Sequence, residues 1–469
     1  MTLDERLASI VPHERQVRFQ QLEFYAFIHF TVNTFTDREW GDGTESPSIF
    51  DPVRLDAEQW VKAVKSAGMR GLILTCKHHD GFCLWQTRTT EHSVAASPWR
   101  NGKGDVVREV SDACRKYGLK FGVYLSPWDR NCPLYGQGRA YDDFFVGQLT
   151  ELLTNYGELF SVWFDGACGE GADGRKQYYD LERYYSVVRE LQPNACISVC
   201  GPDIRWCGNE AGHTRPAEWS VVPKRTRDSE KISEKSQHTD DEEFRQRRVD
   251  SQDSDLGSRM LLENEQELIW YPAEVNTSIR PGWFWHESEN DKVRSLAELV
   301  NIYNNSVGGN ATFLLNIPPT SEGLLHENDV KRLAELGEYL RKAYRKNLLD
   351  EAQLSADGSG IEAVRSDSYD EYFISPKGRN TAEITALWKH PVTVGNIVIK
   401  ENILSGQRVE SFVVEAGNNG VYTEVYRGTV IGYKRIVPLN NITASAIRIK
   451  ITDSRTEPTV AFLGIYEGE

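Results

Sequence analysis

The hexapeptide Ser161-Val162-Trp163-Phe164-Asp165-Gly166 joins an apolar run to an acid and a glycine. Val162-Trp163-Phe164 is too short for a helix and is halted by Gly166, which predicts a buried strand followed by a turn. Asp165 stands at the C-terminal end of that strand. Core filling does not explain an acid there. Capping of a following element does, and so does chemistry, because the C-terminal strand ends of a parallel α/β barrel build its active site.

Similar units flank this stretch. Phe24-Tyr25-Ala26-Phe27-Ile28-His29-Phe30 reads as a first strand with His29 near its end, followed by the Gly-rich loop Glu39-Trp40-Gly41-Asp42-Gly43. A helix is predicted over 56–68, with Asp56 and Gln59 in a capping-box pattern and Trp60, Val61 and Val64 on one face. A strand over 71–76 runs into Lys77-His78-His79-Asp80-Gly81. A helix over 105–117, a strand over 119–125 leading to Ser126-Pro127-Trp128, and a helix over 141–156 come before Ser161.

Beyond Gly166, a helix over 177–191 and a fifth strand over 195–200 lead to Arg205-Trp206-Cys207-Gly208-Asn209-Glu210. Trp219-Ser220-Val221-Val222 reads as a sixth strand. Residues 224–266, dominated by charge, Ser and Gln, predict a solvated insertion. The last two strands are expected at 267–271 and 313–317, with helices over 296–303 and 330–344.

Alternating apolar strands and helices imply a parallel sheet covered on both faces. About eight such units suit a (β/α)8 barrel over residues 1–346 better than an open doubly wound sheet. No GxGxxG follows an early strand, which argues against a dinucleotide fold. From 347 to 469 the pattern changes. Period-two runs such as Ala446-Ile447-Arg448-Ile449-Lys450-Ile451 and turn residues such as Asn418-Asn419-Gly420 predict an antiparallel β-sandwich. Of the 12 Trp, only Trp388 lies in that region, which favours a structural role for it over sugar binding.

The net charge of −15 argues against nucleic acid as a partner. No apolar run is long enough to cross a membrane as a helix. The first thirty residues lack a basic start followed by an apolar segment, so no signal peptide is expected in this chain. That predicts a cytoplasmic protein, or a secreted or periplasmic one if a leader was removed. The 8 Cys include no CxxC pair and suggest reduced thiols rather than zinc ligands or a disulfide framework. Oligomeric state is not legible.

His29, His78, His79, Tyr124, Trp128, Trp163 and Asp165 all fall at or just past expected strand ends, and a barrel brings these to one face. Three His and an Asp are also a metal-type set. Adjacent His78 and His79 on an extended strand, however, point opposite ways, and no HxxxH or HxH spacing accompanies them, so neither a metal nor another cofactor is expected. The same residues suit a sugar: aromatic faces cover the apolar patches of a pyranose, and imidazoles and indoles bond its hydroxyls. Glycosidic cleavage calls for two carboxyl groups. Asp165 is the first candidate. Glu210, Glu218 and Glu274 remain rivals for the second, with Glu210 preferred because it follows the next strand in a Gly-rich loop beside Trp206. Glu218 opens an expected strand, on the wrong rim, and Glu274 lies near a strand end.

These residues sit in recognisable surroundings. Phe27-Ile28-His29-Phe30, Glu39-Trp40-Gly41-Asp42-Gly43, Lys77-His78-His79-Asp80-Gly81-Phe82-Cys83-Leu84-Trp85, Val123-Tyr124-Leu125-Ser126-Pro127-Trp128 and Trp163-Phe164-Asp165-Gly166 resemble the α-L-fucosidases of glycoside hydrolase family 29. The resemblance continues through Gly208-Asn209-Glu210, Arg280-Pro281-Gly282-Trp283-Phe284 and Leu314-Leu315-Asn316-Ile317. It implies a retaining exo-α-L-fucosidase with Asp165 as nucleophile. The Gly208-Asn209-Glu210 motif resembles the subfamily acting on α-1,3/1,4-linked fucose of branched, Lewis-type glycans, with Glu210 as acid/base. His29, His78, His79, Trp85, Tyr124 and Trp163, with Glu39 and Trp40, match the family's fucose-binding set, and Trp283 is expected to close over the sugar's methyl group. The partners implied are fucosylated oligosaccharides or glycoconjugates. A broad-specificity α-L-fucosidase and a fucose-binding protein without catalysis are the alternatives.

Overall fold

The computed structural model describes residues 1–227 and 254–468. Five apolar strands come first: β1 (Phe24–Ile28), β2 (Gly71–Lys77), β3 (Lys120–Leu125), β4 (Leu159–Phe164) and β5 (Cys196–Val199). β6 (Arg205–Trp206) follows β5 directly. β7 (Val221–Pro223) and β8 (Leu268–Trp270) pair with each other, and β9 (Ala273–Ser278) and β10 (Ala311–Asn316) complete the barrel. The parallel sheet runs β5-β4-β3-β2-β1-β10-β9-β6. A parallel bridge from Ser198 to Ile204 draws its two edges together into a nearly closed barrel.

Side chains alternate in and out of the barrel as the pleat demands. Tyr25, Phe27, Ile73, Tyr124, Trp163 and Leu314 fill the interior. Phe24, Ala26, Ile28, Leu72 and Leu74 meet the surrounding helices. Those helices include Ala57–Ser66, capped by the Asp56 carboxylate on the Gln59 N–H, and Val106–Tyr117, closed by Gly118 in the left-handed conformation.

Two expected strands are corrected. Where a sixth barrel strand was expected over 219–222, Val221–Pro223 forms an antiparallel ribbon with Leu268–Trp270 outside the barrel. Its residues are apolar because they are buried there: the Ser220 N–H donates to Gln407 from the C-terminal region. The stretch expected over 267–271 is the other half of the ribbon. The true seventh strand is Ala273–Ser278, fully buried although largely polar, because its inward side chains are held by hydrogen bonds.

The solvated insertion expected over 224–266 falls partly outside the described residues, at 228–253. Its described C-terminal portion is docked: Leu262 is buried and Arg259 pairs with Asp4 and Asp453.

The C-terminal region is antiparallel. It contains β11 (Gln353–Ala356), β12 (Phe373–Ile374), β13 (Ala382–Lys400), β14 (Val409–Asn418), β15 (Val421–Gly428), β16 (Arg435–Ser454), β17 (Thr459–Val460) and β18 (Phe462–Glu467). The first half of β13 pairs with β11 and the second half of β16; past a break in register, the rest of β13 pairs with β18 and the first half of β16. One apolar cluster unites these strands. Buried Glu23, which accepts from Tyr433 and Lys434, ties this region to the base of the barrel.

Candidate active site

Most chemical groups of the site sit at or past the end of a strand. His29 follows β1, His78 and His79 follow β2, Tyr124 is next to last in β3, and Asp165 follows β4. Glu210 lies in the loop after β6, Asn276 on β9, and Trp283 in the loop after β9. All but Tyr124 line one cavity of about 520 Å³, mouth included, together with Glu39, Trp40 and Trp163.

Aromatic rings wall the cavity. Trp163 stacks on Tyr124 with centroids 5.3 Å apart, and Trp283 faces His29 at 5.2 Å. Trp40 meets both His79 and Trp128 edge-on at 5.6 Å. Trp128 backs His79, and its indole donates to the Glu170 carbonyl.

The Asp165 carboxylate is 19% exposed and accepts from the Tyr124 hydroxyl at 2.8 Å and from the Ala167 N–H at 2.8 Å. Burial raises its pKa, and these donors oppose the rise. His79 Nε2 lies 3.7 Å from it, and the Trp163 indole donates to Glu274.

Burial disfavours the charged form of all three imidazoles. Burial lowers His29 to about 3, against a hydrogen bond with Asn316. Burial, with His29 and two nearby cations, lowers His79 to about 3. His78 is pushed well below its usual value by burial and by the other two imidazoles. His29 Nδ1 is engaged with Asn316, and His79 Nδ1 with Ser126. His78 Nδ1 is buried with no hydrogen-bond partner among the described residues. His78 and His79 do not diverge as an extended strand would require. They lie past the end of β2, and their ring centroids are 4.1 Å apart. Ligand atoms of His78, His79 and Asp165 come within 4.8 Å of one another, close enough to share a cation.

The rival carboxylates have other partners. Glu218 is locked between Arg205 at 2.5 Å and Arg215 at 3.3 Å. Burial raises its pKa, but the two guanidinium groups prevail and leave it lowered. Glu274 is fully buried near the start of β9, accepting from Tyr25 at 2.5 Å and Trp163 at 2.8 Å, and burial raises it to about 7. Neither lines the cavity. Glu210 does, and accepts from the Trp283 indole at 3.3 Å.

Trp85 is corrected. It is buried in the outer core, and its indole donates to Glu151 of the helix Arg139–Asn155, away from the cavity. Asn276, Phe27 and Ala167 line the cavity without having been singled out in the sequence. Asn276 was hidden because its polar strand does not read as one.

A barrel that gathers two carboxylates, neutral imidazoles and indole faces at the C-terminal ends of its strands has the layout of a glycoside hydrolase. Residues 13–344 match the Alpha-L-fucosidase family model. The chain is 39% identical over 468 residues to "Alpha-L-fucosidase 1" of Arabidopsis thaliana, covering 97% of this chain and 87% of that one. A solved glycoside hydrolase 29 family member from an unknown rumen bacterium is 39% identical, with TM-score 0.80 over 98% of this chain and 78% of that one. A Ruminococcus gnavus GH29 fucosidase solved in complex with fucose is 30% identical, with TM-score 0.83 over 98% of this chain and 95% of that one. The chain belongs to the α-L-fucosidases of glycoside hydrolase family 29, which act with retention at the anomeric carbon.

Proposed function

We propose that this α-L-fucosidase removes α-1,3/1,4-linked fucose from branched, Lewis-type glycans, with Asp165 as nucleophile and Glu210 as acid/base. The observation that carries the residue roles is that Asp165 and Glu210 share one cavity, while Glu218 and Glu274 are sealed elsewhere by arginines, a tyrosine and an indole. The linkage rests on the Gly208-Asn209-Glu210 motif.

The Asp165 carboxylate attacks C1 of the fucosyl group. The C1–O bond to the aglycone breaks, and Glu210 delivers its proton to the departing oxygen. Water then attacks C1 of the fucosyl ester while Glu210 takes back a proton, which frees Asp165 and retains the anomeric configuration. Neutral His29, His78 and His79 offer donors and acceptors to the sugar hydroxyls, and the unpartnered Nδ1 of His78 is suited to one of them. Trp163 and Trp283 cover its apolar faces.

Fucose release from Lewis-type trisaccharides, compared with release from an aryl fucoside, tests the linkage. Strong preference for the trisaccharides is expected; equal or better use of the aryl fucoside favours broad specificity, and no release from either favours a binding protein. Azide is expected to restore turnover of Glu210→Ala on an activated substrate, and failure to do so moves the acid/base role to another carboxylate.

A further inference from the structure

The loop that carries Trp283 is fastened by an unusual contact. Three consecutive backbone N–H groups end on two carboxylates: Gly282 donates to Glu289, while Trp283 and Phe284 donate to the two oxygens of Glu39 at 2.9 and 3.1 Å. Both Glu39 oxygens are therefore occupied by this loop. His286 completes the arrangement, with Nε2 2.6 Å from Glu39 and Nδ1 2.6 Å from Asp37. A side chain at position 282 has no room: a Cβ there falls 2.4 Å from Glu39 and 2.8 Å from the His286 ring. The other end of the loop is set by Arg280, buried against Asp329.

We propose that His286 is a positioning residue for the fucosidase reaction: a doubly hydrogen-bonded imidazolium that joins Asp37 and Glu39 and so holds the Trp283 loop over the sugar pocket. Glu39 acts through the loop's backbone N–H groups. Trp283 passes the restraint on, since its ring faces His29 and its indole donates to Glu210. A neutral imidazole carries only one N–H, so it can donate to one of the two carboxylates and must face the other with a lone pair. The charged groups facing His286 are Asp37 and Glu39, from the segment after β1, and Glu289 from its own side of the loop. Burial alone lowers its pKa; the hydrogen bonds to Glu39 and Asp37 overcome this and raise it to about 9. The clasp is therefore closed at neutral pH and opens as pH rises through about 9.

This rests on reading the cavity as the sugar pocket. The test is the affinity of L-fucose, measured by calorimetry from pH 7 to 10 on the wild-type protein and on His286→Gln. Product binding, unlike turnover, does not require the catalytic acid to hold its proton. Wild-type affinity is expected to fall roughly tenfold as His286 loses its proton, the scale of one charge-assisted hydrogen bond. His286→Gln is expected to be roughly tenfold weaker at pH 7 and to show no further loss. A flat wild-type profile overturns the clasp without any variant, as does His286→Gln with wild-type affinity. Fucose that binds at no pH overturns the pocket reading itself, and the clasp with it.

Discussion

Replacing Tyr124 with Phe removes one oxygen from the site and leaves the ring that stacks on Trp163. That oxygen is the side-chain donor to Asp165, at 2.8 Å. Burial already raises the Asp165 pKa, so the carboxylate depends on its donors to stay ionised. A hydrogen bond to a charged group is worth about 1.5–3 kcal/mol, and 1.36 kcal/mol corresponds to one pH unit. Losing the Tyr124 hydroxyl is therefore expected to raise the Asp165 pKa further. Only ionised Asp165 attacks, so kcat/KM falls as pH drops through this pKa, and the variant's acid limb lies at higher pH. Well below both midpoints, Tyr124→Phe is expected to lose roughly 10–100-fold relative to wild type, and far less well above them. The assay is a pH profile of kcat/KM for fucose release. An acid limb at the same pH in both proteins refutes the reasoning, because the hydroxyl then does not hold the ionised form of the nucleophile.

Glu218→Gln is expected to leave catalytic chemistry intact but cost about 3–5 kcal/mol in denaturant unfolding, because Arg205 and Arg215 lose their shared buried partner. Trp85→Phe is expected to keep KM for fucosides while lowering Tm, since Trp85 packs in the outer core; a large rise in KM restores it to the pocket. Exhaustive treatment with a chelator is expected to leave kcat unchanged. Loss of activity restored by a divalent cation means that His78, His79 and Asp165 act as metal ligands instead.

The barrel was legible where strands are apolar on both faces. β1 to β5 and β10 present such runs because helices cover one side and aromatic residues fill the other. β6 and β9 were not legible. β6 has two residues, and β9 carries Glu274, Asn276, Thr277 and Ser278, polar groups buried at no great cost because indoles, hydroxyls and a guanidinium meet several of them. The ribbon Val221–Pro223 with Leu268–Trp270 imitated barrel strands because it too is covered.

The site followed the same logic. Residues at strand ends converged, as chain direction alone requires. Trp85 shared a motif with His78 and His79 but lies beyond Gly81, where the chain turns back toward the helices. The opposed directions expected for His78 and His79 failed because strand alternation stops with the strand. His286 gave no signal in sequence, since its partners Asp37 and Glu39 lie about 250 positions away.

The most direct measurement uses a 2-deoxy-2-fluoro fucosyl fluoride, which forms the glycosyl ester faster than water removes it, followed by peptide mass spectrometry. One fucosyl adduct on the peptide containing Asp165 is the predicted result. An adduct on Glu210 or Glu274, or inactivation without any covalent sugar, contradicts the assignment of Asp165 as the nucleophile.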